Sequence, residues 1–313
     1  MPDVAVALGG GGVRGIAHVG VLRGLEKLGL SVKAIAGTSA GGIIGAVAAK
    51  GISADEIEER IINMNQSDFF RLSFSNSPSL LDFSGFATVL VEMLGDSSFE
   101  DLPIPFACTA VDIRSSQEVI ISKGKLLDAV LSTIAIPGVF PPKEMGNALL
   151  VDGGILDPVP VSLARWLAPT MPVVAVVLSP TPDGWAHISS PGIENLAPLP
   201  RPILETFSKL KITQAINIYT NAMDISSRML TELRLQIDKP EVIIRPKVDQ
   251  YSILDKVEAK VIIKLGEDAV EEAKDEILRS LDWPKAFSRY FRKVSLPGKL
   301  MDTEEPIDFT IDE

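Results

Sequence analysis

The sequence predicts one α/β domain built around a mostly parallel sheet, with a helical carboxyl-terminal part packed on it. Residues 4–8 are a short, unbroken apolar run and 32–36 a run interrupted only by Lys33, the pattern of strands largely buried on both faces. Each run stops in a glycine-rich turn and continues as a helical stretch, so the first 51 residues read strand–turn–helix twice. Further apolar runs alternate with helical patterns down the chain, and no flexible linker or internal repeat divides it.

Taken in order, the run 4–8 ends in Gly9, Gly10, Gly11 and Gly12, and residues 14–27 repeat apolar side chains at helical spacing until Gly29. The run 32–36 enters Gly37-Thr38-Ser39-Ala40-Gly41, then an alanine- and isoleucine-rich helix up to Gly51. Ser53 with Glu56 three residues on reads as a helix cap. Residues 68–96, rich in Phe, Ser and Gly, are expected to form a mobile flap or to line a channel with Phe69, Phe70, Phe74, Phe83 and Phe86, with ordinary core packing as the alternative. Residues 106–111, 118–122, 148–151 and 173–178 read as strands and 126–134 as a helix, with Pro137, Pro141 and Pro142 enforcing a loop. A proline-rich loop over 181–202 leads into a long helix over 203–237, a strand at 242–245 and a helix over 255–281.

Of 313 residues, 46% are hydrophobic and 23% charged, ordinary for a globular protein and incompatible with global disorder. The net charge of -11 repels phosphate backbones, so nucleic acid is not an expected partner. Cys108 is the one cysteine, which excludes an internal disulfide framework and a multi-thiolate metal site. His18 and His187 are the only histidines, too few for a His-rich metal centre. Neither a metal nor a cofactor is expected. The amino terminus lacks a basic region and a cleavage site, and prolines with Arg165 interrupt the longest apolar stretch, 159–178. A soluble, cytoplasmic protein is expected, with attachment to a membrane surface left open.

Gly10-Gly11-Gly12-Val13-Arg14-Gly15 fits the dinucleotide-binding pattern G-x-G-x-x-G, but the second strand ends in Ala36-Gly37 with no acid to hold a ribose. The nucleotide reading fails. A glycine turn at a helix start equally offers backbone N–H groups to an oxyanion. Gly37-Thr38-Ser39-Ala40-Gly41 is a G-x-S-x-G placed between strand and helix, where a nucleophilic serine sits on a sharp, strained turn and the helix amino end favours negative charge. Its base is open on residues alone. His18 lies on a helix and reads as a structural histidine, whereas His187 follows Asp152 in the order of an α/β-hydrolase triad but sits in the proline-rich loop. Asp152, closing a strand before Gly153-Gly154, is the alternative base, or else a turn residue bonding its own backbone; desolvation would raise its pKa toward a useful range.

Gly10-Gly11-Gly12-Val13-Arg14-Gly15, Gly37-Thr38-Ser39-Ala40-Gly41 and Asp152-Gly153-Gly154 resemble, in order, the three motifs of the patatin-like phospholipase family. Segments 99–105, 135–138 and 157–160 are similar to family segments too, so the resemblance covers at least residues 4–180. It implies a three-layer α/β/α fold and a Ser–Asp dyad without histidine. Carried over, Ser39 is the nucleophile, Asp152 the base, the N–H groups of Gly10, Gly11 and Gly12 the oxyanion hole, Arg14 the residue ordering that loop, and Gly37 and Gly41 the elbow around Ser39. The implied activity is hydrolysis of lipid esters, phospholipids or lysophospholipids. A Ser–His–Asp esterase using His187 and a non-catalytic lipid-binding or regulatory protein are the alternatives.

Residues 1–281 then form the hydrolase domain, with a motif core over 4–180 and a helical part over 203–281, and 282–313 is a basic-aromatic segment and acidic tail. Within 283–294, Trp283, Phe287, Tyr290 and Phe291 follow helical spacing beside Arg289, Arg292 and Lys293. Either a terminal helix docks its aromatics on the core, or an interfacial helix lies on an anionic membrane surface, where charge reversal would leave folding intact.

Overall fold

Alternation inside the buried strands sets the layers. The structure, a computed structural model, describes residues 1–63, 71–72, 81–82, 84–182, 211–251, 255–282 and 287–301, with backbone alone at 71–72, 81–82, 84–87 and 211–221. In chain order the elements are β1 (Asp3–Leu8), α1 (Ala17–Lys27), β2 (Ser31–Gly37), α2 (Ala40–Ala49), α3 (Ala54–Asn63) and α4 (Ser84–Leu94). Then come β3 (Phe106–Asp112), β4 (Gln117–Ile121), α5 (Leu126–Thr133), β5 (Lys143–Met145), β6 (Ala148–Asp152) and α6 (Val161–Leu167). The chain continues through β7 (Val173–Val176), α7 (Lys211–Asp238), β8 (Val242–Ile244), α8 (Ala259–Ser280) and β9 (Lys299–Leu300).

β1 turns Val4, Val6 and Leu8 to one face of the sheet and Ala5 and Ala7 to the other, all fully buried. The branched face packs α1, α2, α3, α5 and α8; the alanine face packs α6 and Leu235 of α7. Helices on both faces of a mixed, mostly parallel sheet make three layers, α/β/α. α2 is apolar on nearly all sides because it is a core helix. α1 and α8 cross at backbone contact: a Cβ on Gly20 would collide with the Ile263 carbonyl, and one on Gly266 with the Ala17 carbonyl.

The strand order is β8-β7-β1-β2-β3-β4-β9, parallel from β8 through β3, with β4 antiparallel to β3. β4 occupies one edge of β3, pairing Cys108 to Asp112. The other edge is shared: β2 pairs parallel to its start, Gly37 opposite Cys108, and β6 antiparallel to its end, Asp152 opposite Ala110. The two strands therefore run at each other, and their last residues stand two positions apart along β3, about 7 Å at strand rise.

Three expectations change. The stretch 14–27 is not one α-helix: Gly12, at φ 58°, turns the chain into a 3-10 segment (Gly12–Ile16), and α1 begins at Ala17. Leu90, Met93 and Leu94 of α4 are in the core, so this part of the expected flap is packing; Phe69, Phe70, Phe74, Phe83 and Phe86 lie outside the described side chains. Of the segment 283–294, residues 283–286 lie outside the described residues, residues 287–289 are helical, and the chain beyond Phe291 is extended or irregular. Arg289 is 4% exposed and donates to the carbonyls of Thr170 and Ser280, while Phe287, Tyr290 and Phe291 point outward. Thr170 precedes β7, so this turn sits at the amino ends of the parallel strands, the far side from Ser39.

Gly20→Ala is expected to cost about 2 kcal/mol or more by forcing α1 off α8, read as a lower urea midpoint. Arg289→Glu is expected to lower Tm, because it leaves the buried Ser280 carbonyl without its donor and removes the bond to the Thr170 carbonyl; Lys293→Glu, at an exposed position, is expected to leave Tm within a degree or so.

Candidate active site

The meeting of β2 and β6 brings together side chains more than a hundred residues apart in sequence. Ser39 follows β2 as the amino-terminal cap of α2, at φ 53° and ψ -122°, a left-handed conformation that side-chain-bearing residues rarely adopt. It is held there from several sides. Its N–H donates to Thr133 Oγ1 at 2.9 Å, at the end of α5. Thr38 Oγ1 donates to the Asp157 carbonyl at 2.9 Å and lies 2.8 Å from Thr109 Oγ1 of β3. A Cβ on Gly41 would strike the Leu8 carbonyl, and one on Gly37 would meet the Gly41 carbonyl oxygen at 2.5 Å, so both elbow glycines let α2 start hard against the end of β1.

Asp152 closes β6, its N–H bonded to the Ala135 carbonyl at 3.0 Å. Its Oδ1 accepts from the Gly154 N–H at 2.7 Å, and its Oδ2 accepts from Ser39 Oγ at 2.5 Å. A histidine-bridged arrangement needs an imidazole between hydroxyl and carboxylate; here the two are in direct contact. Burial pushes the Asp152 carboxyl up to about 6 from an ordinary 3.8, opposed by the hydrogen bonds from Ser39 and Gly154.

The glycine turn after β1 forms the opposite wall. Gly10 stands beside Ser39, but its N–H already donates to the Pro158 carbonyl at 2.9 Å. The expected set of oxyanion donors therefore narrows to Gly11 and Gly12, whose N–H groups have no acceptor among the described residues. Arg14, buried, donates from Nε to the Gly11 carbonyl at 3.2 Å and pairs with Asp224 of α7 at 3.6 Å, which pins the turn. His18 is fully buried with Nε2 2.7 Å from the Gly9 carbonyl. A carbonyl only accepts, so Nε2 carries the proton, and burial pulls the imidazole down to about 4. His18 is a neutral support for the turn. His187 lies outside the described residues.

These groups open into a cleft of about 130 Å³, with apolar walls at Ile136, Pro137, Ile155, Val159, Leu178 and Met223. Asp224, Ser227, Arg228 and Thr231 of α7 form its remaining wall. Sequence reading missed this wall: α7 shows helical spacing, but which of its faces meets the site depends on partners far along the chain.

Comparison with known proteins follows the same lines. The family model for patatin-like phospholipases matches residues 6–165, just over half the chain. The sequence is 34% identical over 194 residues to an uncharacterized NTE family protein of Mycobacterium tuberculosis, covering 61% of this chain and 53% of that one. It is 30% identical over 167 residues to lysophospholipase NTE1 of Saccharomyces cerevisiae, covering 52% of this chain and 10% of that one. The chain thus spans about half the length of its mycobacterial relatives. VipD from Legionella pneumophila shares the fold, with a TM-score of 0.51 over 88% of this chain and 66% of that one, at 12% identity.

Between about pH 4 and pH 6 the unfolded chain gives up an Asp152 proton that the folded chain keeps, so stability falls as pH rises through that window and is level above it. Asp152→Asn removes this penalty. The variant is expected to exceed the wild type in stability by ~2–3 kcal/mol at pH 8, with the gap closing as pH falls to 4, read by thermal unfolding at both pH values. A gap of the same size at both would show that the carboxyl is not held up by burial.

Proposed function

The chain belongs to the patatin-like phospholipase family, and from that premise we propose that it is a serine acyl hydrolase cleaving fatty-acyl esters of phospholipids or lysophospholipids. The observation that carries the reading is the direct 2.5 Å bond from Ser39 Oγ to Asp152 Oδ2 inside an apolar-walled cleft.

In the mechanism, Asp152 Oδ2 takes the Ser39 proton as Oγ attacks the ester carbonyl carbon. Negative charge develops on the carbonyl oxygen, and the N–H groups of Gly11 and Gly12 hold it, at a cost already met by the folded turn. The tetrahedral intermediate expels the alcohol, which takes the proton back from Asp152, and leaves an acyl group on Ser39. Water then gives its proton to Asp152 and attacks the acyl carbonyl, and Ser39 Oγ leaves as it takes that proton back, which releases the fatty acid and restores the starting pair. A carboxylate is a weak base toward a hydroxyl, and burial is what strengthens it: a pKa of about 6 lies much nearer the operating range than an ordinary 3.8. Residues 1–281 act as the catalytic domain in this reading. The apolar walls suit an acyl chain, and the lysophospholipase name of the yeast relative agrees with a lipid ester as substrate.

Fatty-acid release from p-nitrophenyl esters of rising chain length tests the reading. Ser39→Ala and Asp152→Asn are each expected to lose at least ~1,000-fold in kcat/KM, with His187→Ala unchanged. The Asp152 base must be ionised, so wild-type kcat/KM is expected to rise tenfold per pH unit below about 6 and to level off above it. Activity that survives Asp152→Asn but is lost in His187→Ala would replace the dyad with a histidine triad.

A further inference from the structure

α7 is built inside out. A surface helix ordinarily turns its charges to water and an apolar stripe to the core. Over residues 222–238 of α7 the charges turn inward instead. Asp224 pairs with Arg14 and Arg228, Glu232 with Arg245 at 2.6 Å, and Arg234 with Glu118 at 2.8 Å. Asp238 accepts from Ser162 at 2.7 Å. What remains outside carries no charge: the exposed positions are Ala222, Ile225, Ser226, Met229, Leu233, Gln236 and Ile237. Ile225, Met229, Leu233 and Ile237 are 65%, 50%, 48% and 73% exposed and recur at every fourth residue. They form one stripe about 18 Å long at helical rise. In a chain of net charge -11 and 23% charged residues, this is an apolar band that water disfavours and that some apolar medium must cover.

We infer that the outer face of α7 docks on a neutral lipid surface, with the helix lying in the headgroup plane of zwitterionic phospholipid. The inference rests on the proposed lipid-ester hydrolysis for its occupant, and the observations choose that occupant in two ways. First, the inner side of the same helix is the wall of the cleft, through Asp224, Ser227, Arg228 and Thr231. A bilayer against the stripe therefore lies within one helix diameter, about 10 Å, of the residues that line the site. Second, among the described residues no Lys or Arg takes an exposed position within 222–238, Lys239 lying just past the helix end, and the protein's own charge repels anionic headgroups, so apolar insertion is the driving term and the matching surface is uncharged. Among the described residues no helix is long and apolar enough to cross a membrane. The aromatic turn at Phe287, Tyr290 and Phe291, with its adjacent basic residues, is at the far end of the strands from Ser39 and is not the surface that serves the cleft.

The test uses the full chain carrying Ser39→Ala, so that vesicles stay intact, with and without the triple change Ile225→Ser, Met229→Ser and Leu233→Ser. Co-sedimentation with pure phosphatidylcholine vesicles is expected to weaken at least tenfold in the triple variant, and the parent is expected to bind no better when about a third of the lipid is anionic. Cys108, the one native cysteine, is fully buried, so Met229→Cys accepts an environment-sensitive fluorophore selectively. Its emission is expected to shift to the blue on phosphatidylcholine vesicles. Equal binding by parent and triple variant, a probe that stays in water, or binding that requires anionic lipid would overturn the inference. So would a parent that is dimeric in solution and becomes monomeric in the triple variant, since a second copy would then be the occupant. Turnover of a soluble short-chain ester, measured with Ser39 intact, separates the two readings. It is expected to be equal with and without the triple change, whereas its absence in both would sink the hydrolase reading and leave the vesicle result to be judged alone.

Discussion

β2 and β6 compete for one edge of β3, and the chain settles the competition by giving each half of it. Because one runs parallel and the other antiparallel, they end nose to nose, with Thr109 between them. Ser39 is the second residue beyond the end of one strand and Asp152 the last residue of the other, and no loop has to fold to bring them together. Gly153 then must be glycine, since a Cβ there would run into the Thr109 backbone and hydroxyl. The position of the pair is as rigid as the sheet itself, which is where a site needing sub-ångström placement belongs.

Several local costs are collected at this junction. Ser39 is held at a left-handed φ, Asp152 keeps a carboxyl away from water, and the N–H groups of Gly11 and Gly12 have no acceptor among the described residues. Each works against folding by itself, on the order of 1–3 kcal/mol for the backbone strain. The surroundings over-determine the arrangement: α2 is buried on almost every side, β1 is fully covered on both faces, and Arg14 and His18 tie the glycine turn through the carbonyls of Gly11 and Gly9. Strain concentrated where chemistry is proposed, and offset by packing elsewhere, is how a preorganised site differs from an ordinary turn.

α7 shows the same logic on a larger scale. Its ion pairs reach to the glycine turn, to β4 and to the chain just after β8, so charge rather than apolar contact fastens much of this helix to the body. Polar groups then face the cleft, and the apolar side chains are left outside. One helix thereby has a polar inner face lining the cleft and an apolar, exposed outer face.

The sequence by itself determined the strands, their buried character and the strand–turn–helix setting of Ser39, because short apolar runs closed by glycine are local signals, and run length with the flanking turns separates strand from helix. It also offered Asp152 as a base from its place at a strand end before Gly153-Gly154, and the motif resemblance favoured it over His187, since nothing within a few residues of Asp152 says what it faces. The tertiary structure decided what depends on partners distant in sequence. It committed the Gly10 N–H to Pro158, buried Arg289 against Thr170 and Ser280, and turned the charges of α7 inward. Hydrophobic spacing tells how many faces a helix has, but not which of them meets the core; for α7 that was set by Arg14, Glu118 and Arg245, whose charges only the folded sheet brings within reach.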